Sequence, residues 1–163
     1  MNSKRIILST LLIVLNYSSQ IFAANYTCTV TSNNANFGNF NPLNYSASTT
    51  TATFTVSCPL NSGVLIANES VVITFSQGNA GSFTRYMTSG ANKLSYNLYK
   101  DNNYTQVLGD GTGSTYNISA SGTVYAIYGT PQMSFTVYGK IPSQPNAVKG
   151  SYSDNIIITV TYQ

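Results

Sequence analysis

The sequence contains no histidine and no tryptophan, and only 11 of its 163 residues carry a charge. Without histidine, the chain lacks the usual general base, metal ligand and pH-sensitive side chain of enzymes. The formal net charge of +3 is too small for a protein that binds nucleic acid through a clustered basic face. We therefore expect no catalytic residues, no cofactor, no metal site and no nucleic-acid partner.

Uncharged polar residues take the place of the missing charges, since 60 residues are Asn, Ser or Thr. Hydrophobic residues still make up 42% of the chain, with 13 Tyr and 7 Phe among them. Disordered chains are poor in aromatic residues, so this composition predicts a packed core. The length suits one domain, and no linker or internal repeat divides the chain.

The first 23 residues have the features of a secretory signal peptide. Lys4 and Arg5 form a short basic region, residues 6–15 are mostly apolar, and Ala23 is a small residue at a suitable cleavage position. A transmembrane anchor is the alternative, but ten helical residues span only about 15 Å of a bilayer core about 30 Å thick. We therefore predict an exported protein whose mature domain covers residues 24–163 and spans no membrane.

The chain has two cysteines, Cys28 and Cys58. An exported protein passes through an oxidising compartment, where an even number of cysteines normally forms disulfides. The simplest interpretation is one Cys28–Cys58 disulfide, and the alternative is two buried free thiols.

Apolar and polar residues alternate along most of the mature chain. In residues 51–58 every even-numbered position is apolar and every odd-numbered one carries a hydroxyl, and similar alternation runs through 70–76, 93–99, 132–137 and 155–162. This period of two is typical of strands with one buried face. Glycine-containing turns separate the runs, and no window shows helical periodicity. The pattern predicts a single all-β sandwich.

The remaining reactive residues form no recognisable catalytic or metal-binding motif. A hydroxyl nucleophile needs an activating base, and the lysines of the mature chain lie in no nucleophile motif. The acidic residues of the mature chain are isolated from one another in sequence: Glu69, Asp101, Asp110 and Asp154. Asp101 begins a segment with a faint likeness to a calcium loop. Gln106 and Thr112 stand where that loop requires glycine and an acidic residue, so we discount it.

The last predicted strand is the most informative segment. Residues 155–162 place Ile156, Ile158 and Val160 on one apolar face, and no further strand follows. A hydrophobic strand in that position leaves an open edge. Either an earlier strand of the chain covers it, or a strand from another polypeptide pairs with it. The pattern alone favours the first alternative, because most sandwiches close themselves.

The order of several short motifs adds a family resemblance. Read along the chain, the motifs are Cys28, Phe37-Gly38, Phe54-x-Val56-x-Cys58, Arg85-x-Met87, Leu94-x-Tyr96-x-Leu98-Tyr99-x-Asp101, Gly109-Asp110-Gly111-Thr112-Gly113, Val137-Tyr138-Gly139 and Gly150-x-Tyr152-x-Asp154-x-Ile156-x-Ile158-x-Val160-x-Tyr162. With these motifs the mature chain resembles the spore coat protein U family, whose relatives include pilins of the archaic chaperone–usher pathway. The resemblance covers residues 28–162.

The resemblance implies an incomplete immunoglobulin-like, pilin-type sandwich that lacks its last strand. It also implies that Ile156, Ile158 and Val160 line a groove for a donor strand, supplied first by a periplasmic chaperone and then by another fibre subunit at an outer-membrane usher. The expected function is a non-enzymatic subunit of a cell-surface fibre with an adhesive or biofilm role. One alternative is a self-contained secreted coat or surface protein of the same fold, and another is a secreted hydrolase.

The N-terminus of the predicted mature chain is short. Residues 24–27 alone separate it from Cys28, whereas a donor strand that crosses a sandwich groove needs about six to nine residues. We therefore expect a subunit that receives a strand but does not donate one, which would place it at the tip of a fibre.

Overall fold

The structure is a computed structural model that describes residues 25–26, 28–57, 60–62, 65–126 and 132–162. Those residues form β-strands and two short 3₁₀ turns, and they contain no α-helix. The strands are β1 (Asn25–Tyr26), β2 (Thr29–Ser32), β3 (Ser48–Ser57), β4 (Leu60–Ser62), β5 (Leu65–Phe75), β6 (Tyr86–Ser89), β7 (Asn92–Ser95), β8 (Asn97–Tyr99), β9 (Ile118–Ala126), β10 (Gln132–Ile141) and β11 (Ile158–Tyr162). The 3₁₀ turns cover Pro42–Asn44 and Gly78–Ala80.

Two antiparallel sheets make up the body of the protein. The first has four strands in the order β2-β3-β10-β8, and the second has three in the order β11-β5-β9. The β6–β7 hairpin and the short β1–β4 pair form two further sheets of two strands each. The longest ladder joins β3 to β10, from Gln132 opposite Ser57 to Ile141 opposite Ser48. The predicted all-β class is therefore confirmed.

The core lies between the two sheets because the strands alternate in the predicted way. In β3, Phe54 and Val56 are buried while their neighbours are more exposed. The Phe54 ring meets Phe75 of β5 edge-on at 5.7 Å between centroids and stacks on Phe135 of β10 at 5.2 Å. Ile73 of β5 is fully buried in the same cluster. The Phe54–Phe75 contact thus joins the two sheets, whereas the Phe54–Phe135 stack lies within the first sheet.

Two predicted strands differ from the structure at their ends. The run 93–99 is divided at Tyr96, whose N–H donates to the Arg85 carbonyl, so that β7 pairs with β6 and β8 with β10. The run 155–162 enters the sheet only at Ile158. Two preceding N–H groups bond to side chains instead, that of Asn155 to Asp154 Oδ1 and that of Ile157 to Ser76 Oγ. Alternation predicted the buried face but not these local competitors for the backbone.

One side of the sandwich is closed by the loop that carries the Gly109–Gly113 motif. Leu108 is fully buried, and its N–H donates to the Leu98 carbonyl of β8. The Gly109 carbonyl accepts from Phe75 N–H of β5, so the loop joins one strand of each sheet. Asp110 Oδ1 stabilises the loop by accepting from the N–H and the hydroxyl of Thr112 at 2.9 and 2.7 Å.

No helix in the described ranges is long and apolar enough to cross a membrane. The predicted signal peptide lies outside these residues, so its extent and the domain boundary at residue 24 remain predictions.

The loop around Asp110 predicts an acid-sensitive contribution to stability. The hydrogen bonds from Thr112 hold the pKa of Asp110 below its usual value of 3.8. A carboxyl whose pKa is lowered by folding stabilises the protein above the pKa of the unfolded chain, and this contribution is lost as the pH falls through the folded pKa. Carbon-detected titration by NMR should give a value below 3.8. Asp110→Asn should remove that part of the acid dependence of unfolding, and an Asp110 pKa at or above 3.8 would contradict the assignment.

The Cys28–Cys58 disulfide remains a prediction, because Cys58 lies outside the described residues. Thr29 pairs with Ser57 in the β2–β3 ladder, so Cys28 immediately precedes a paired stretch, and no described cysteine is free. A disulfide closing a loop of about 30 residues should raise the free energy of unfolding by roughly 3–4 kcal/mol. We expect Cys28→Ser to lower stability by that order in denaturant unfolding. Two titratable thiols in the native exported protein would refute the pairing.

Candidate functional site

The edge of the three-stranded sheet is the most unusual feature of the fold. β11 stands at the end of the order β11-β5-β9 and pairs with β5 from Ile158 opposite Phe75 to Tyr162 opposite Val71. Within the described part of the chain, no strand pairs with its other edge. An apolar strand with one unpaired edge is a template for a further strand.

Backbone contacts identify which groups face the free edge. Ser76 N–H donates to the Ile157 carbonyl at 2.9 Å, and Ile157 N–H donates to Ser76 Oγ at 2.9 Å. The polar groups of Ile157 therefore point toward β5. The backbone N–H and C=O groups of successive residues point to opposite sides of a strand. The N–H and C=O groups of Ile158 and Val160 therefore point to the free edge.

Side-chain exposure follows the same alternation. Ile156, Ile158 and Val160 are half-buried and pack against the core, whereas Ile157 is 64% exposed on the opposite face. The residues that offer backbone hydrogen bonds at the edge are thus the ones whose side chains face the core. A strand added there would extend the sheet and cover those side chains in one step.

A cleft of about 1350 Å³ opens beside this edge. Residues 32–43 form one wall, and Pro145, residues 147–156 and Ile158 form the other. Its floor consists of core side chains from both sheets: Phe54, Phe75, Leu98, Val137 and Ile141. The cleft is therefore an opening into the hydrophobic core rather than a surface depression.

Phe37 shapes the first wall of the cleft. Its ring meets Tyr96 edge-on at 6.0 Å between centroids and lies directly over Gly139 of β10. A Cβ at Gly139 would stand 2.7 Å from Phe37 Cζ, closer than two carbon atoms approach, so the ring requires glycine beneath it. Thr50 Oγ1 holds the segment by donating to the Asn36 carbonyl at 2.7 Å. Two separate sequence motifs, Phe37-Gly38 and Val137-Tyr138-Gly139, thus form one contact.

Two of the three groove residues predicted from the sequence line the cleft. Ile156 and Ile158 line the cleft, while Val160 packs against the core beyond its lining. Sequence reasoning did not assign Phe37 or Phe40 to the cleft. They lie in a segment without strand periodicity, and only the Phe37-Gly38 motif pointed to it.

The acidic side chains do not form a second site. Asp101 and Asp110 each accept hydrogen bonds from their own loops, and Asp154 lies beside the cleft. No group of three or more potential metal ligands occurs among the described residues.

Comparisons with known proteins are consistent with this architecture. Residues 15–159 match the family model described as Spore Coat Protein U domain, and the match includes the end of the predicted signal peptide. No curated protein matches the chain.

A solved structure is similar in fold. It is the crystal structure of the CsuC-CsuE chaperone-tip adhesion subunit pre-assembly complex from archaic chaperone-usher Csu pili of Acinetobacter baumannii, and one of its chains aligns with a TM-score of 0.52 at 17% identity. The alignment covers 83% of this chain but only 39% of that one, so this chain spans well under half of that neighbour's length. The likeness shows a shared fold.

Proposed function

The chain belongs to the Spore Coat Protein U domain family, and from this premise we propose that it is a structural subunit of a cell-surface fibre. Its fold is an incomplete immunoglobulin-like sandwich that is completed by a strand from another polypeptide. The observation that carries the proposal is the unpaired edge of β11 beside a cleft that opens into the core.

The geometry of the edge defines what the added strand must be. The segment that the added strand would follow, from Ile156 through β11 to Tyr162, is seven residues long, which an extended chain covers in about 23 Å at about 3.3 Å per residue. The strand must hydrogen-bond to the outward groups of Ile158 and Val160 and must carry apolar side chains at alternate positions. Each large apolar side chain that becomes buried stabilises the complex by roughly 1.5–3 kcal/mol.

Two donors in succession fit this requirement. We propose that a periplasmic chaperone supplies the first strand and that a neighbouring subunit replaces it when an outer-membrane usher assembles the fibre. The similar solved structure is a complex of a chaperone with a tip adhesion subunit, which supports the chaperone step. The protein would then pass through the periplasm to the cell surface, and its predicted signal peptide is consistent with the export step.

The proposed role is structural rather than enzymatic, because the cleft is bounded mainly by apolar and amide side chains without a base paired to a nucleophile. The second candidate is a self-contained coat or surface protein, which would need a segment of its own chain to cover β11. The two candidates differ in whether the purified protein has an edge that accepts a foreign strand.

We also propose that this subunit only accepts a strand and lies at the tip of the fibre, where an adhesive or biofilm role would follow. Asn25 and Tyr26 pair with Ser62 and Leu60 of the same chain, which supports an N-terminus engaged in its own fold rather than extended toward a neighbour. Purified mature protein should therefore not polymerise through its N-terminus. Long fibres that disappear when residues 24–27 are deleted would refute this placement.

A strand-binding assay tests the main proposal. The probe is a fluorescent nine-residue peptide in which valine alternates with threonine, and a scrambled peptide of the same composition is its control. Ile158→Asp should weaken binding of the alternating peptide roughly 10- to 100-fold, because a carboxylate would replace an apolar contact in the groove.

The matched control is Thr159→Asp, which adds the same charge to the exposed face of the same strand. This variant should bind within about twofold of the unchanged protein, since surface substitutions usually have small effects. A stable monomer that ignores the alternating peptide, or equal losses in both variants, would favour the self-contained coat protein.

A further inference from the structure

Residues from separate sequence motifs meet where the last strand begins. Arg85, Tyr96 and Asp154 come from different motifs, and Ser76 follows β5. Arg85 is only 1% exposed and Tyr96 only 6% exposed. A buried arginine is rare in proteins unless its donors are satisfied, so its partners indicate what the cluster does.

The guanidinium of Arg85 binds the end of β5. Nε and Nη2 donate to the Ser76 carbonyl at 3.1 and 2.6 Å, and Nη1 donates to Asn97 Oδ1 at 2.8 Å. Burial lowers the pKa of Arg85, while the nearby Tyr96 and Asp154 raise it. The side chain therefore ties Ser76 to Asn97 at the start of β8.

Ser76 in turn holds the residue that precedes β11. Its N–H donates to the Ile157 carbonyl and its hydroxyl accepts from Ile157 N–H, both at 2.9 Å. For the N–H of Ile157, the Ser76 hydroxyl thereby replaces the backbone carbonyl that would accept this bond in a regular sheet. Ser76 therefore links the buried Arg85 to Ile157, the residue that precedes β11.

Asp154 fixes the same segment three residues earlier. Its Oδ2 accepts from the Tyr96 hydroxyl at 2.7 Å, and its Oδ1 accepts from Asn79 N–H at 2.8 Å. Gly78 allows this approach, since a Cβ there would collide with the carboxylate. Burial, followed by the hydrogen bond to Asp154, raises the pKa of Tyr96 above its usual value, so the phenol remains a donor.

We propose that Ser76, Arg85, Tyr96 and Asp154 form a clamp that holds residues 154–157 and thereby sets the position and register of β11 as the acceptor edge. β11 has five residues and one described strand neighbour, and a short strand paired on one side frays readily. At the beginning of β11, the clamp supplies the restraint that a second strand neighbour would give. The link to strand capture rests on the proposed function, whereas the restraint on β11 does not.

Hydrogen exchange of the full exported chain, read by mass spectrometry of peptides, tests the clamp. In Asp154→Ala, the amides of Ile157, Thr159 and Thr161, which face β5, should exchange on the order of tenfold faster, since hydrogen bonds to a charged group are lost. Amides of β3 and β10 should keep their exchange rates. Tyr96→Phe removes only the hydroxyl contact and should give a smaller acceleration in the same peptide.

The conservative variant and a matched control separate a clamp from general destabilisation. Asp154→Asn keeps an oxygen acceptor for Asn79 N–H and can still form a hydrogen bond with the Tyr96 hydroxyl. Amides of residues 157–161 should therefore exchange more slowly in this variant than in Asp154→Ala. Asp101→Ala removes another aspartate that accepts several loop hydrogen bonds, and it should leave residues 157–161 unchanged. Equal acceleration throughout the chain, or none in residues 157–161, would overturn the clamp.

The alternating peptide distinguishes failure of the clamp from failure of the proposed function. If the unchanged protein binds the peptide, Asp154→Ala should bind it at least about tenfold more weakly although Ile158 is intact. Undiminished binding by Asp154→Ala would overturn the clamp as a determinant of strand capture. If the unchanged protein binds no peptide, the proposed function fails, and the exchange rates still decide whether the clamp restrains β11.

Discussion

The fold depends on the requirement that every strand in a sandwich pair its backbone and cover its apolar face. The inner strands of the two large sheets meet the backbone requirement on both sides, whereas the strands at the ends of these sheets have one strand neighbour each in the described residues. β3 pairs with both β2 and β10, and β5 pairs with both β9 and β11. β11 meets it on one side only, although its alternate side chains pack against the same core. What distinguishes β11 from the other end strands is that the cleft lies beside it, lined by Ile158.

The two sides of the sandwich are closed differently. On one side, the loop at Leu108 and Gly109 bonds to β8 and β5 and joins the two sheets with backbone hydrogen bonds. On the other side, residues 32–43 and the segment before β11 line a cleft whose remaining lining consists largely of core side chains. The wall formed by Phe37 is held by packing on Gly139 and one hydroxyl contact. This side is therefore open, as an acceptor of a foreign strand would need it to be.

Although the chain has few charges, buried polar residues hold the segment that leads into β11. The buried Arg85 and the carboxylate of Asp154 lie near the start of β11, where their hydrogen bonds restrain the chain on either side of Asn155 and Ile156. Buried polar groups that are fully satisfied specify one arrangement more sharply than apolar packing does. No buried polar side-chain atom in the described residues lacks a hydrogen-bond partner, so this specificity carries no desolvation penalty from an unpaired group.

The class of fold and the inward face of each main strand could be predicted from the amino-acid sequence, because alternation with a period of two depends only on neighbouring residues. It also identified Ile156, Ile158 and Val160 as the core-facing residues of the last strand. The packed fold was needed to show that the cleft lies beside β11, that Phe37 lies over Gly139, and that Arg85, Tyr96 and Asp154 converge on residues 154–157. Such contacts join residues up to about a hundred positions apart, and no local pattern encodes them because they arise only when the two sheets pack together.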